Sequence, residues 1–237
     1  MSPQAAPKQL YEQHTQHRYW LFSPEELTLM RNKHNERAHQ RILANWQREW
    51  ASTTATAATA ADQPAIVSDE LTLCKYYEQT IQSACRRFSF PESATAVLFM
   101  KRFYLFNTVM DYPPKYIMLT CLYLASKTEG CFLPIDEFVG KFSNVTTQNI
   151  TEMEMTVCES LKFHFTIHQP YRPLYGFFLD LQRTGTTMDL LKTTYERAAK
   201  WVCTSLYTDA CLLYQPSQVA LAAWRLAAEE TGIDMAR

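Results

Sequence analysis

The chain has 237 residues, of which 47% are hydrophobic and 13% aromatic, and this composition excludes a chain that is disordered throughout. Its 23 Lys and Arg residues nearly balance its 24 Asp and Glu residues, so the net charge is −1. Because a nucleic-acid backbone is held by a basic surface, this balance argues against nucleic acid as the main ligand. The sequence has no secretory signal after its first residue and no apolar stretch of membrane-spanning length, so we expect a protein of the cytosol or nucleus.

The residues that usually carry chemistry form no recognisable set. The five glycines lie at least nine positions apart, which excludes the glycine-rich loops that bind phosphate. The seven cysteines are odd in number and lack the CxxC spacing of zinc sites, so we interpret them as reduced packing residues. His164 and His168 are four residues apart, but the segment before Pro170 is more typical of a helix end than of a metal pair. We therefore expect no catalytic residue, no metal and no cofactor.

Long runs free of glycine and proline, with apolar residues at helical spacing, predict an all-α fold. After an N-terminal tail over 1–22, Ser23, Pro24 and Glu26 form the pattern of a helix start, and the helix is expected over 23–50. Residues 51–65 are rich in Ala and Thr and are predicted to be a linker. Further helices are predicted near 68–88, 92–108, 113–129, 134–142 and 147–163, and then near 171–183, 188–208 and 216–231.

The chain contains an internal repeat. Residues 112–130 align with 214–232 at a shift of 102 positions, with six identities in nineteen and apolar positions retained. The third helix of each copy is apolar nearly all round, so it should be buried among its neighbours. The first copy has five predicted helices and the second only three, so we expect a second repeat that is truncated at its C-terminal end.

Two charged residues distinguish the first copy. Lys127 closes its third helix, whereas the residue at the corresponding position of the second copy is Glu229. Glu154 adjoins the apolar stripe of the fifth predicted helix. Taken alone, Lys127 is most simply a cation at a helix C-terminus and Glu154 a solvated carboxylate.

Several motifs resemble those of the cyclin family. The sequence Leu124-Ala125-Ser126-Lys127 followed by Glu129 resembles the third-helix motif of the cyclin box, and Glu154 matches the glutamate of its fifth helix. The segments 101–104, 168–173 and 208–218 are similar to those of the transcriptional cyclins. The segments 18–26 and 71–78 are more similar to the cyclin H group than to the cyclin C group, which is the runner-up.

The resemblance implies tandem five-helix cyclin boxes, the first over 66–168 and the second, partial one over 169–237. It implies a nuclear, non-catalytic regulatory subunit that activates a cyclin-dependent kinase. For the cyclin H group, this kinase would be the CDK-activating kinase of general transcription factor IIH, which acts on other such kinases and on the RNA polymerase II tail. A RING-finger assembly subunit would be the third partner, and neither a membrane nor direct nucleic-acid contact is expected.

The resemblance also implies a kinase-binding site. Lys127 would donate to backbone carbonyls near the kinase αC helix, and Glu154 would accept backbone N–H bonds nearby. An apolar floor beside them would consist of Leu124, Cys158 and Phe163, and Glu129 would belong to the same surface. The sequence lacks the MRAIL-type motif of cell-cycle cyclins, so their substrate-docking patch is not expected.

Other interpretations remain open at this stage. Lys101 occupies a position where cell-cycle cyclins have an aspartate, which puts their buried Arg–Asp pair in doubt. The first helix is basic, so it could either contact a kinase or simply present a solvated face; its charged residues from position 31 to position 48 are Arg31, Lys33, Glu36, Arg37, Arg41 and Arg48. Two functions of other classes also remain possible at this stage. One is a DNA-bound scaffold similar to transcription factor IIB, and the other, which is less favoured, is an enzyme with an unrecognised site.

Overall fold

A computed structural model describes residues 10–52, 66–88, 93–131, 133–184 and 187–233. Within these ranges the chain is helical and contains no strand, as the all-α prediction requires. A 3-10 turn at Leu10–Gln13 precedes helices α1 (Thr15–Tyr19), α2 (Pro24–Ser52), α3 (Val67–Phe88), α4 (Ser93–Phe103), α5 (Pro114–Thr128), α6 (Ile135–Val139), α7 (Thr147–Ser160), α8 (Tyr171–Leu181), α9 (Met188–Ser205), α10 (Ala210–Leu213) and α11 (Pro216–Thr231). Most of the predicted linker, 53–65, lies outside the described residues.

The chain divides into two compact units, and the first comprises residues 24–163. Its central helix is α5, which packs against α3, α4 and α7 and buries every residue from Ile117 to Ser126. Helix α2 packs on α3, and its Leu27 and Ala38 are buried. An apolar helix enclosed on three sides by its neighbours holds this unit together, because burial of apolar area is the main favourable contribution to folding.

Three helices of the first unit, α4, α6 and α7, end at least three residues before their predicted ends. Helix α4 ends at Phe103 rather than 108, because the Asn107 side chain donates to the Phe103 carbonyl and to Ser160 Oγ, both at 3.0 Å. These bonds satisfy a carbonyl at the helix end and turn the chain. Helix α6 is also shorter than the predicted 134–142, because the N–H groups of Lys141 and Phe142 donate to carbonyls three residues back rather than four.

Helix α7 begins and ends with defined local geometry. Thr146 and Asn149 form a capping box at its start, where the Thr146 side chain accepts from the Asn149 N–H. At its end Lys162 and Phe163 adopt positive φ angles of 53° and 56°, which non-glycine residues rarely do. The Phe163 N–H donates to the Cys158 carbonyl at 3.0 Å and stabilises this turn. The turn leaves the Phe163 side chain 56% exposed.

The first unit contains a buried ion pair. Lys101 Nζ of α4 lies 2.6 Å from Glu78 Oε2 of α3, and both side chains are only 4% exposed. At the position where cell-cycle cyclins have an aspartate, this chain therefore has a lysine that pairs with a glutamate of a neighbouring core helix. Each of these charges has lost its hydration, so removing one partner would leave the other buried without compensation.

The second unit comprises residues 164–233 together with the N-terminal segment 10–23, as far as the structure describes them. Helix α11 packs against α8 and α9, and its Trp224 is fully buried. The two repeated helices have matching ends: α5 begins at Pro114 and α11 at Pro216, and each is followed by a left-handed glycine, Gly130 or Gly232. Proline fits the first position of a helix, and glycine the left-handed position beyond its end.

The N-terminal segment is anchored in the second unit. Gln16 is 2% exposed and bonds twice to the backbone of His168, accepting from its N–H at 2.7 Å and donating to its carbonyl at 3.2 Å. Trp20 is 1% exposed and donates from its indole nitrogen to His164 Nδ1 at 3.1 Å. These three bonds use residues 164 and 168. The two units meet in sequence at 163/164, five positions before the predicted box boundary. The sequence analysis treated 1–22 only as a tail and missed this anchoring.

Candidate functional site

Lys127 and Glu154 converge at the surface of the first unit. Lys127 is in the last turn of α5, and Glu154 lies in the middle of α7, which packs beside it. Lys127 Nζ is 2.5 Å from Glu154 Oε1, and the side chains are 39% and 24% exposed. A pair so open to solvent adds little to folding stability. Both groups are therefore accessible to an external partner.

Neighbouring side chains hold Lys127 in place. Its Nζ lies 4.5 Å from the ring centroid of Tyr123, one helical turn earlier in α5, which is cation–π geometry. The i, i+4 spacing of Tyr123 and Lys127 was a signal that the sequence analysis did not use. Glu129, beyond the helix end, accepts a hydrogen bond from Thr95 Oγ1 at 2.7 Å. Tyr123 thus orients the lysine, and Thr95 fixes the glutamate.

The predicted apolar floor needs correction. Leu124 is 4% exposed and Cys158 is 9% exposed, because the apolar faces of α5 and α7 pack on each other. These two residues therefore support the surface from inside rather than offer contacts. Phe163 is exposed, and Met155 of α7 is a further exposed apolar side chain, at 59%, that the sequence analysis did not single out.

Cys158 carries a thiol beneath this surface. Burial, reinforced by the Glu154 carboxylate, raises the pKa of the Cys158 thiol above its usual value, while Lys127 opposes the shift. A raised pKa keeps the thiol protonated at neutral pH and so makes it a poor nucleophile. Among the described residues no group of three or more His, Cys, Asp or Glu side chains could hold a metal ion. None of the helices in these ranges is both long and apolar enough to cross a bilayer.

Comparison with family models assigns both units. Residues 64–166 match the cyclin N-terminal domain and residues 169–234 match the cyclin C-terminal domain. The chain belongs to the cyclin family. Cyclin-H of Xenopus laevis is 32% identical over 237 aligned residues, which cover 95% of this chain and 71% of that protein.

Two solved structures are similar over most of the chain. A chain of the CAK complex from Chaetomium thermophilum, bound to ATP-gamma-S, matches with a TM-score of 0.81 and 31% identity, covering 93% of this chain and 69% of that one. A chain of the yeast TFIIK complex, which contains Kin28, Ccl1 and Tfb3, matches with a TM-score of 0.73 and 29% identity. That match covers 95% of this chain and 94% of the yeast chain.

Proposed function

We propose that this chain is the regulatory cyclin subunit of a CDK-activating kinase associated with general transcription factor IIH. The observation that carries the proposal is the convergence of Lys127 and Glu154 at the surface of the first cyclin unit. The similarity to cyclin-H and to chains of CAK and TFIIK complexes supports this choice of kinase.

The mechanism is selection of an active kinase conformation. A kinase needs the ion pair between its β3 Lys and αC Glu, and a partner that binds only the state with αC in place shifts the population toward it. A shift from 1:99 to 99:1 requires a preference of about 5.5 kcal/mol for the active state. Apolar contacts to an exposed side chain such as Phe163 are poorly directional, so the charged pair must fix the orientation of the kinase.

Lys127 and Glu154 can supply that orientation by exchanging partners. In the free chain each neutralises the other at 2.5 Å. On binding, the three N–H donors of Lys127 would reach backbone carbonyls of the kinase, and the second carboxylate oxygen of Glu154 would accept backbone N–H bonds. Charge-assisted bonds of this kind contribute about 1.5–3 kcal/mol each once they are shielded from water.

The same proposal extends to the location of the chain and to its other partners. The chain would act without catalytic residues of its own, in the nucleus, and without direct nucleic-acid contact, as its net charge of −1 favours. The TFIIK complex contains three named proteins, which supports a three-subunit assembly. We propose a RING-finger assembly subunit as the third member.

Reconstitution tests this function. The full chain, mixed with the catalytic subunit of the transcription factor IIH kinase of its own organism, is expected to form a 1:1 complex. The complex should phosphorylate both a polymerase-tail peptide and the activation segment of a second cyclin-dependent kinase. The matched control is the Mediator kinase subunit, the partner implied by the cyclin C alternative. If the chain activated only the Mediator kinase, it would belong to the cyclin C group instead. If it activated neither of the two kinases, the proposal would be refuted.

A further inference from the structure

A basic groove lies between α2 and the turn that follows α4, on the first unit. The groove has a cavity volume of about 480 Å³, and we define it by the six charged and ring side chains of its lining: His34, Arg37, Arg41, Phe106, Asp111 and Tyr112. Three of these six residues are basic. The Lys127–Glu154 pair is not among the lining residues, so the groove is a separate feature.

The one acid in this set is already neutralised. Asp111 forms an ion pair with Arg41 and also accepts a hydrogen bond from Thr108 Oγ1 at 3.2 Å. Arg37 is exposed, and no carboxylate of the described residues lies within ion-pair distance of its guanidinium. The groove therefore carries uncompensated positive charge at Arg37, beside an Arg41 that Asp111 holds in a fixed position.

The surroundings of His34 report the same excess of positive charge. Burial lowers the pKa of His34, and the charges of Arg37 and Lys33 lower it further. The Phe106 ring lies 6.2 Å from the His34 ring and 5.3 Å from Lys162 Nζ. Lys162 thus brings one cation to the Phe106 ring, and the lowered pKa of His34 keeps its imidazole neutral at pH 7. An anion bound in the groove would be attracted by the charges of Arg37 and Arg41.

We propose that the basic groove binds a phosphorylated side chain of a protein partner. A phosphate monoester carries close to two negative charges and three acceptor oxygens, which suits a site with several N–H donors better than a single carboxylate does. The guanidinium of Arg37 can bind such a group with two parallel bonds, and Arg41 can use the donors that Asp111 leaves free.

The size and charge of the groove favour a protein partner over a nucleic acid. A nucleic-acid surface presents a stripe of basic residues along the backbone path, whereas this groove is a single concavity whose lining includes the acidic residue Asp111. The chain as a whole has a net charge of −1. One phosphorylated residue in a peptide fits these dimensions.

Peptide titration tests the proposal. The full chain would be titrated with a fluorescent peptide that carries one phosphothreonine between Asp and Glu residues, and with the same peptide unphosphorylated. We expect the phosphorylated peptide to bind at least about tenfold more tightly, and Arg37→Ala to abolish most of that difference, since one charge-assisted pair is lost. Arg48→Ala, an exposed arginine on the same helix outside the groove, is the matched control and should bind the phosphopeptide as the unchanged chain does.

A second readout follows His34 directly. Phosphopeptide binding should raise the pKa of His34, as seen by NMR titration of its ring, because an adjacent dianion favours the protonated imidazole. Equal affinity for the two peptides, an unchanged His34 pKa, or loss of binding in Arg48→Ala as large as in Arg37→Ala would overturn the proposal. Tighter binding of a single-stranded DNA oligonucleotide, of vesicles containing phosphoinositide, or of inorganic phosphate alone would replace the protein partner by that ligand.

Discussion

The double substitution Lys127→Ala with Glu154→Ala is expected to weaken kinase binding about 100-fold or more while leaving the chain folded. Each residue is expected to contribute about 1.5–3 kcal/mol through charge-assisted bonds to the kinase backbone, and both contributions are lost together. The fold should survive because the pair is partly exposed and contributes little to the stability of the free chain. Affinity would be measured by calorimetry and activity by phosphorylation of a polymerase-tail peptide.

The chain offers a matched control for this experiment. Arg197 and Glu230 form a partly exposed ion pair in the second unit, with Arg197 Nη1 at 3.5 Å from Glu230 Oε2 and side chains 44% and 41% exposed. Replacing both by Ala should leave kinase affinity unchanged. The swap Lys127→Glu with Glu154→Lys separates a structural role from a binding role, because it keeps opposite charges together but presents them in the wrong places. We expect the swapped chain to fold and to bind poorly, and normal binding by it would refute the assignment.

Substitution of the buried lysine should have the largest effect on stability. Lys101→Met is expected to lower the free energy of unfolding by about 3–5 kcal/mol, because it leaves the Glu78 carboxylate buried without its cation. Urea unfolding followed by circular dichroism would measure the loss. Lys141→Met provides the comparison, since Lys141 pairs with Glu137 at 3.6 Å in a solvated i, i+4 geometry and its loss should cost under about 0.5 kcal/mol.

A second substitution tests the physical reason for that loss. Adding Glu78→Leu to Lys101→Met removes both charges from the core and should restore much of the stability, because a buried ion pair and an apolar pair of similar volume are often nearly equal in free energy. If the double variant were less stable than Lys101→Met alone, the pair would not be acting through uncompensated charge.

The sequence predicted the parts of the fold that depend on local pattern. Helices α5 and α11 could be placed because proline at the start, an apolar middle and glycine beyond the end all lie within one segment. The end of α4 could not, because Asn107 is held by Ser160, which lies 53 residues further along the chain. Short elements such as α1 and α10 depend on anchoring in the second unit, where the Phe22 N–H donates to the Leu212 carbonyl.

The same division holds for the candidate site. Lys127 and Glu154 could be identified from sequence because the resemblance to cyclin motifs places them in the third and fifth helices of one box. The burial of Leu124 could not be predicted from the motif, since it depends on how closely α7 covers α5. The exposure of Phe163 depends on the two consecutive positive φ angles after α7, which neither propensity nor spacing predicts for Lys-Phe.

Hydrogen exchange measured by mass spectrometry on the free chain and on its complex with the kinase tests the central claim most directly. The account predicts that binding slows amide exchange most in the peptides covering the end of α5 and the end of α7, including Lys127 and Phe163, because the kinase covers that surface. The peptides of α9 around Arg197 should exchange at the same rate in both samples. Protection in α9 or elsewhere in the second unit, with the ends of α5 and α7 unchanged, would contradict the account.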